Sequence, residues 1–129
     1  MIYNEQLDLD HVDLKIISWN EFENVDLRIG KIVSVEDFPK ARNPAYKVFV
    51  DFGPEFGVLQ TSAQITKLYT KEELSGRYVI GCINLGTKNI AGFTSQFLLT
   101  GFEDANGNIA LATIHNNEKY APKLGAKLK

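Results

Sequence analysis

The chain is poor in the residues that carry most recognisable chemistry: 129 residues hold one cysteine, one methionine, one tryptophan and two histidines. A lone thiol cannot close an internal disulfide, which fits a reducing compartment. Cys82 sits in the apolar run Tyr78–Ile83 and reads as a small buried hydrophobe. His11 and His115 are remote from each other and from any ligand-spaced partner. Neither Cys-x-x-Cys nor His-Glu-x-x-His occurs, so a metal centre has no support. A GxxxxGK phosphate loop is missing, and Ser62 and Ser95 have no histidine base marked out for them. Glu72-Glu73 suits the start of a helix better than an acid/base couple. A non-enzymatic protein is therefore the favoured reading, although a convergent active site needs no motif. No run approaches the roughly 18 apolar residues of a membrane helix. The opening MIYNEQLDLDHVDLK is acidic and has no basic n-region, so a secretory signal is not expected and a cytoplasmic location is.

What is present suits one soluble globular domain: 44% hydrophobic and 23% charged residues. The net charge of −2 is unevenly spread. Residues 1–26 hold seven acids against one base, and residues 27–129 hold thirteen bases against nine acids. An acidic leader thus precedes a mildly basic body, whose local potential can meet phosphates even though the molecule is slightly negative. Residues 1–18 read as an extension, an edge strand or an arm, and residues 19–129 as the domain.

Ser18-Trp19-Asn20-Glu21 is a capping box that opens a short helix over Trp19–Asn24, with Trp19 and Phe22 expected in the core. Val25–Phe38 alternates as a half-buried strand, and its broken period near Gly30 predicts a bulge or sharp bend there. After the PKARNP loop, Tyr46–Phe52 alternates again. A turn at Gly53-Pro54-Glu55 leads to a third strand, Phe56–Ser62. Thr70-Lys71-Glu72-Glu73 is a second capping box, and Gly76 stops its helix. Strands follow at Tyr78–Leu85, Phe97–Phe102 and Ile109–Ile114, with an Asn-Gly turn inside Asp104–Asn108. The tail Lys119–Lys129 ends with alternating apolar positions. Three strands, a short helix and two strands is the order of the all-β, five-stranded OB-fold Greek-key barrel.

Asn84–Leu98, NLGTKNIAGFTSQFL, is the most polar connection between two apolar strands. Its Gly86, Gly92, Lys88, Thr94 and Ser95 suit a ligand-binding loop or an ordinary long hairpin loop.

Phe22–Ile32, FENVDLRIGKI, resembles the opening of the tRNA-binding domain family. Asp37–Arg42, Pro44–Lys47, Asp51–Gly53, Ser62–Ile65 and Ile90–Phe93 resemble most the CsaA-like secretion chaperone branch of that family. The likeness covers roughly residues 19–114. It implies an OB barrel, a homodimer, no cofactor, no catalysis, and a barrel mouth that meets tRNA. By position it places Lys40 and Arg42 in the first mouth loop, Lys47 just after it, and Asn84 at the end of the fourth strand. It makes Lys88 the cation of the second mouth loop and Ser95 the family serine, and sets Leu98 where relatives often carry methionine. Gly86-Thr87 replaces prolines usual before that cation, which raises the ordering cost of binding. The four cations would neutralise phosphates, and Gln64, Asn84 and Ser95 would bond bases or sugar hydroxyls. Each cation alone is more often a solvated surface charge, so only their convergence makes a site. The alternative is a chaperone-like protein that binds unfolded polypeptide, motivated by Ile90, Phe93 and Phe97 near the mouth.

Overall fold

The computed structural model describes residues 13–129. The readings of residues 1–12 as an arm or edge strand, and of His11, lie outside the described residues. Both capping boxes form. In α1 (Trp19–Glu23) the Ser18 hydroxyl accepts from the Glu21 amide, and the Glu21 carboxylate accepts from the Ser18 amide, each at 3.1 Å. In α2 (Lys71–Leu74) Thr70 and Glu73 make the same exchange at 3.2 and 2.7 Å. Gly76 takes a left-handed φ of 85° after α2, and its amide reaches the Ile32 carbonyl at 2.8 Å. The expected burial of the α1 aromatics is not found. Trp19 is 80% exposed and Phe22 38%, each contacting the other edge-on. A helix of five residues carries too little apolar face to bring both rings to the barrel.

Five antiparallel strands form the barrel in the order β3 (Val58–Ala63), β2 (Tyr46–Asp51), β1 (Leu27–Asp37), β4 (Tyr78–Cys82) and β7 (Leu98–Leu99). The long strand β1 (Leu27–Asp37) serves two neighbours. Its first half pairs with β4 (Tyr78–Cys82) and its second half with β2 (Tyr46–Asp51). Lys31 is shared, opposite both Tyr78 and Asp51. The bulge expected near Gly30 lies instead at Val33, where the register passes from Ile32↔Val50 to Ser34↔Phe49. Gly30 is needed for a different reason. A Cβ there would meet Val50 and lie 2.8 Å from the Phe52 ring, so its absence lets β1 bend across the core. β3 (Val58–Ala63) pairs with β2 throughout.

The predicted strand Phe97–Phe102 is divided. β7 (Leu98–Leu99) pairs with β4, and β8 (Gly101–Glu103) leaves to form a hairpin with β9 (Ile109–Leu111). Thr100 marks the break, with its amide and hydroxyl both donating to the Ile80 carbonyl, at 3.0 and 2.7 Å. In the Asp104–Asn108 turn the Asp104 carboxylate accepts from the amides of Asn106 and Asn108.

Closure comes from β3 meeting the segment that precedes β7. The buried Thr61 hydroxyl donates to the Phe97 carbonyl at 2.8 Å, and the Gln96 amide donates to the Gln60 carbonyl at 2.8 Å. Ile32, Val48, Val50, Phe52, Ile65, Leu74, Val79, Phe97 and Leu99 fill the core. Phe52 and Phe97 meet edge-to-face at 5.0 Å. Among the described residues no helix is long and apolar enough to cross a membrane.

Gly81 faces that ring pair, and a Cβ there would lie 2.6 Å from Phe52 and 2.9 Å from Phe97. Gly81→Ala is therefore expected to destabilise the chain by about 1–3 kcal/mol through overpacking. The midpoint of urea unfolding measures this.

Candidate functional site

The connection from β4 to β7 is a hairpin rather than an open loop. β5 (Lys88–Ile90) and β6 (Phe93–Ser95) pair as Lys88↔Ser95, Asn89↔Thr94 and Ile90↔Phe93. Ala91 and Gly92 form the two-residue tip with φ of 49° and 86°. The Asn89 carboxamide oxygen accepts from the Gly92 amide at 3.1 Å and holds the turn. Directly opposed residues of an antiparallel pair share a face, so Lys88, Ser95, Ile90 and Phe93 are on one side of the hairpin.

That side is turned onto the outer face of β2 and β3. Ser95 is buried, and its hydroxyl accepts from the Ser62 amide at 3.0 Å. Gln60 donates to the Thr94 carbonyl at 2.9 Å, and its own amide donates to the Gln96 side chain. Phe93 packs edge-on against Phe38 and Phe49, at 5.5 and 6.3 Å between ring centres. The Lys47 ammonium lies 5.1 Å from the ring centres of both Phe38 and Phe93. Such contacts are worth about 0.5–1 kcal/mol at exposed sites. Lys47 is opposite Ser62 in the β2–β3 register, Ser62 bonds Ser95, and Ser95 is opposite Lys88. A transverse row thus joins the two lysines across four strands, β2, β3, β6 and β5.

The loop from β1 to β2 borders this region. Phe38 is its buried anchor. Arg42 lines an open cavity of about 470 Å³ with Asp37, Tyr46 and Thr66. Gln64 lines a neighbouring cavity of about 380 Å³ with Lys67 and Asn108, and Pro44 and Thr66 belong to both. Lys40 is exposed on the same loop. The described residues hold two ion pairs, Arg28–Asp26 and Lys71–Asp37, and none of Lys40, Arg42, Lys47 and Lys88 is in either. The 2.8 Å bond from Lys71 to Asp37 holds the Lys71 ammonium above its ordinary pKa and neutralises the acid at the foot of the loop.

Two of the expected residues are elsewhere. Asn84 accepts from the Asp26 amide at 3.1 Å and donates to the Asn24 carbonyl at 2.6 Å, tying the end of α1 to the end of β4. Leu98 is 52% exposed and opposite Cys82, whose thiol lies 3.5 Å from the Asn84 carboxamide oxygen. Phe97, expected at the mouth, is in the core. Sequence reasoning missed Phe38, Phe49 and Gln60 as parts of the site. The alternation that puts Val48 and Val50 inside already puts Phe49 outside with Lys47, and that was the available signal.

The family described as "Putative tRNA binding domain" matches residues 27–121. The chain belongs to the tRNA-binding domain family. Methionine–tRNA ligase of Pyrococcus furiosus is 40% identical over 116 residues, covering 90% of this chain and 15% of the ligase. That of Methanocaldococcus jannaschii is 32% identical over 120 residues, covering 93% and 16%. The chain thus spans about 15% of the length of these curated relatives. Two solved chaperone structures superpose on the tRNA-binding domain described above. CsaA from Picrophilus torridus is 36% identical with a TM-score of 0.79, covering 88% of this chain and 100% of that one. CsaA from Bacillus anthracis has the same identity and TM-score, covering 89% and 100%. The OB-type barrel is what this chain shares with the two CsaA structures.

Phe93→Ala removes the wedge that holds the hairpin to the sheet. Amide hydrogen exchange across Asn89–Ser95 is expected to speed up markedly, while Val48 and Val50 in the core keep their protection.

Proposed function

We propose that this domain binds tRNA in the cleft between the β5–β6 hairpin and the outer face of β2–β3, and that it acts by binding, not catalysis. The single observation that supports this most is the row Lys47–Ser62–Ser95–Lys88, which sets one cation of β2 and one of β5 in line across the seam between sheet and hairpin. Lys40 and Arg42 extend the positive surface along the first loop, and Gln64 supplies an amide beside it. The Asn84 carboxamide is engaged by the backbone of Asn24 and Asp26, so in this reading it ties the end of β4 to α1 instead of reaching RNA. Leu98, beyond the cleft, offers an apolar contact at most. A cytoplasmic site of action follows from the ligand.

With about four phosphate contacts, log K should fall against log salt with a slope near −3 to −4. Lys47→Ala and Lys88→Ala should each reduce that slope by about 1. Filter binding of tRNA across salt concentrations measures both. A slope near zero, or no loss in either variant, rejects the cleft.

We further propose that the protein is a homodimer. Ile17, Trp19 and Phe22 line a cavity of about 290 Å³ beside α1. A tryptophan 80% exposed is costly to leave in water, and a second copy is the partner that the family resemblance favours. Sedimentation should show a dimer at micromolar concentration, and Trp19→Ser with Phe22→Ser should shift it to monomer. The same apolar surface, with the two CsaA chaperones as structural neighbours, favours a second reading: a chaperone-like hold on unfolded polypeptide. Suppression of client aggregation that survives loss of RNA binding in Lys88→Ala would support it.

A further inference from the structure

The tail builds a second basic groove at the far end of β2. Residues 125–128 run antiparallel to the first residues of β1. The Gly125 amide donates to the Ile29 carbonyl at 2.8 Å, the Ile29 amide to Ala126 at 3.0 Å, and the Leu128 amide to Leu27 at 2.9 Å. The tail thereby covers the stretch of β1 that β2 does not pair. Two glycines permit the fit. A Cβ on Gly53 would lie 2.8 Å from the Leu124 carbonyl oxygen, and one on Gly125 would lie 2.7 Å from that of Phe52. Between the tail and the β2–β3 turn is a cavity of about 570 Å³, with Arg28, Lys123, Lys127 and Lys129 in its lining.

Arg28 is a fixed wall. Its guanidinium pairs with Asp26, donates to the Gly125 carbonyl at 3.0 Å and sits 4.7 Å above the Phe56 ring. Lys127 donates to the Glu23 carbonyl at 2.9 Å. Lys123 and Lys129 are exposed and join neither ion pair of the described residues. Glu55 is the one acid in the lining, among the described residues. Lysine ammonium groups on flexible stems are point charges without a required fork geometry, which suits a phosphodiester chain.

We propose that this groove is a second phosphate-binding site, engaged by the same RNA that occupies the cleft. The proposal rests on tRNA binding by the cleft. Lys47 and Phe52, just past the end of β2, are five residue steps apart, about 17 Å at strand rise. A folded RNA is rigid enough to present phosphates to both sites at once, and the second contact then forms at high effective concentration. A short single strand fills the cleft alone. The tail groove therefore selects structured RNA over unstructured RNA by reach, without reading a base.

The test is Lys123→Gln with Lys129→Gln, which leaves Arg28 and Lys127 in place. Filter binding is run with folded tRNA and with a six-nucleotide single strand across salt concentrations, and polyglutamate is run as a competing probe. We expect the salt slope for tRNA to shrink by about 2 and its affinity to fall roughly tenfold, with the short strand unchanged. Unchanged tRNA affinity and slope overturn the groove while leaving the cleft standing. Equal losses for tRNA and the short strand also overturn it, because the lysines then act only as a distant field. Loss of polyglutamate competition with tRNA binding intact would assign the groove to acidic polypeptide and overturn it too. Failure of the unmodified chain to bind tRNA at low salt would sink the cleft and the groove together.

Discussion

The structure depends on one seam, where β3 meets the segment before β7. Three consecutive residues of β3 are tied there. Gln60 exchanges backbone and side-chain bonds with Thr94 and Gln96, Thr61 donates to Phe97, and the Ser62 amide donates to Ser95. Thr61 is buried, so its hydroxyl needs the Phe97 carbonyl as much as the barrel needs closing. Phe97 goes inward to Phe52, and Ser95 and Phe93 hold the hairpin on the outside. One set of bonds closes the core and also mounts the wall of the candidate cleft.

Electrostatics follows the same architecture. The molecule is slightly negative, but its acids near the first mouth loop are offset locally, as Asp37 is by Lys71. Lys47 is opposite Glu36 in the β1–β2 register, yet its ammonium is placed by two aromatic rings. Rings hold a cation without neutralising it, so its charge stays available to a phosphate. At the other end of β2 the tail gathers further lysines around Arg28, whose guanidinium is held above its ordinary pKa chiefly by its hydrogen bond to Asp26. A body with a small excess of bases thus presents two positive regions, because its acids are used in pairs or lie elsewhere.

The parts legible in the sequence are those with short-range causes. Both capping boxes formed because each needs only residues three apart. The Asn-Gly turn formed because Gly107 accepts a left-handed backbone. Alternation over Tyr46–Phe52 placed Val48 and Val50 inside correctly. The misplaced parts share a different cause. The bulge at Val33 is set by where β2 must begin to pair, and no local signal at Gly30 reports that. Trp19 and Phe22 look like core residues, but the burial of a ring depends on what lies beside it. The strand after Phe97 is cut by Thr100, whose bonds go to Ile80 twenty residues away.

The sequence by itself determined the all-β barrel class, because alternation, caps and turn residues act over a few positions, and its motif blocks carried the family resemblance. Only the tertiary structure decided what meets what. The hairpin folds back on β2–β3, Asn84 is drawn to α1, and the tail lies along β1, through bonds between residues 33 to 104 positions apart. Such contacts are chosen by chain closure and packing, and they leave no periodic trace in the order of the residues.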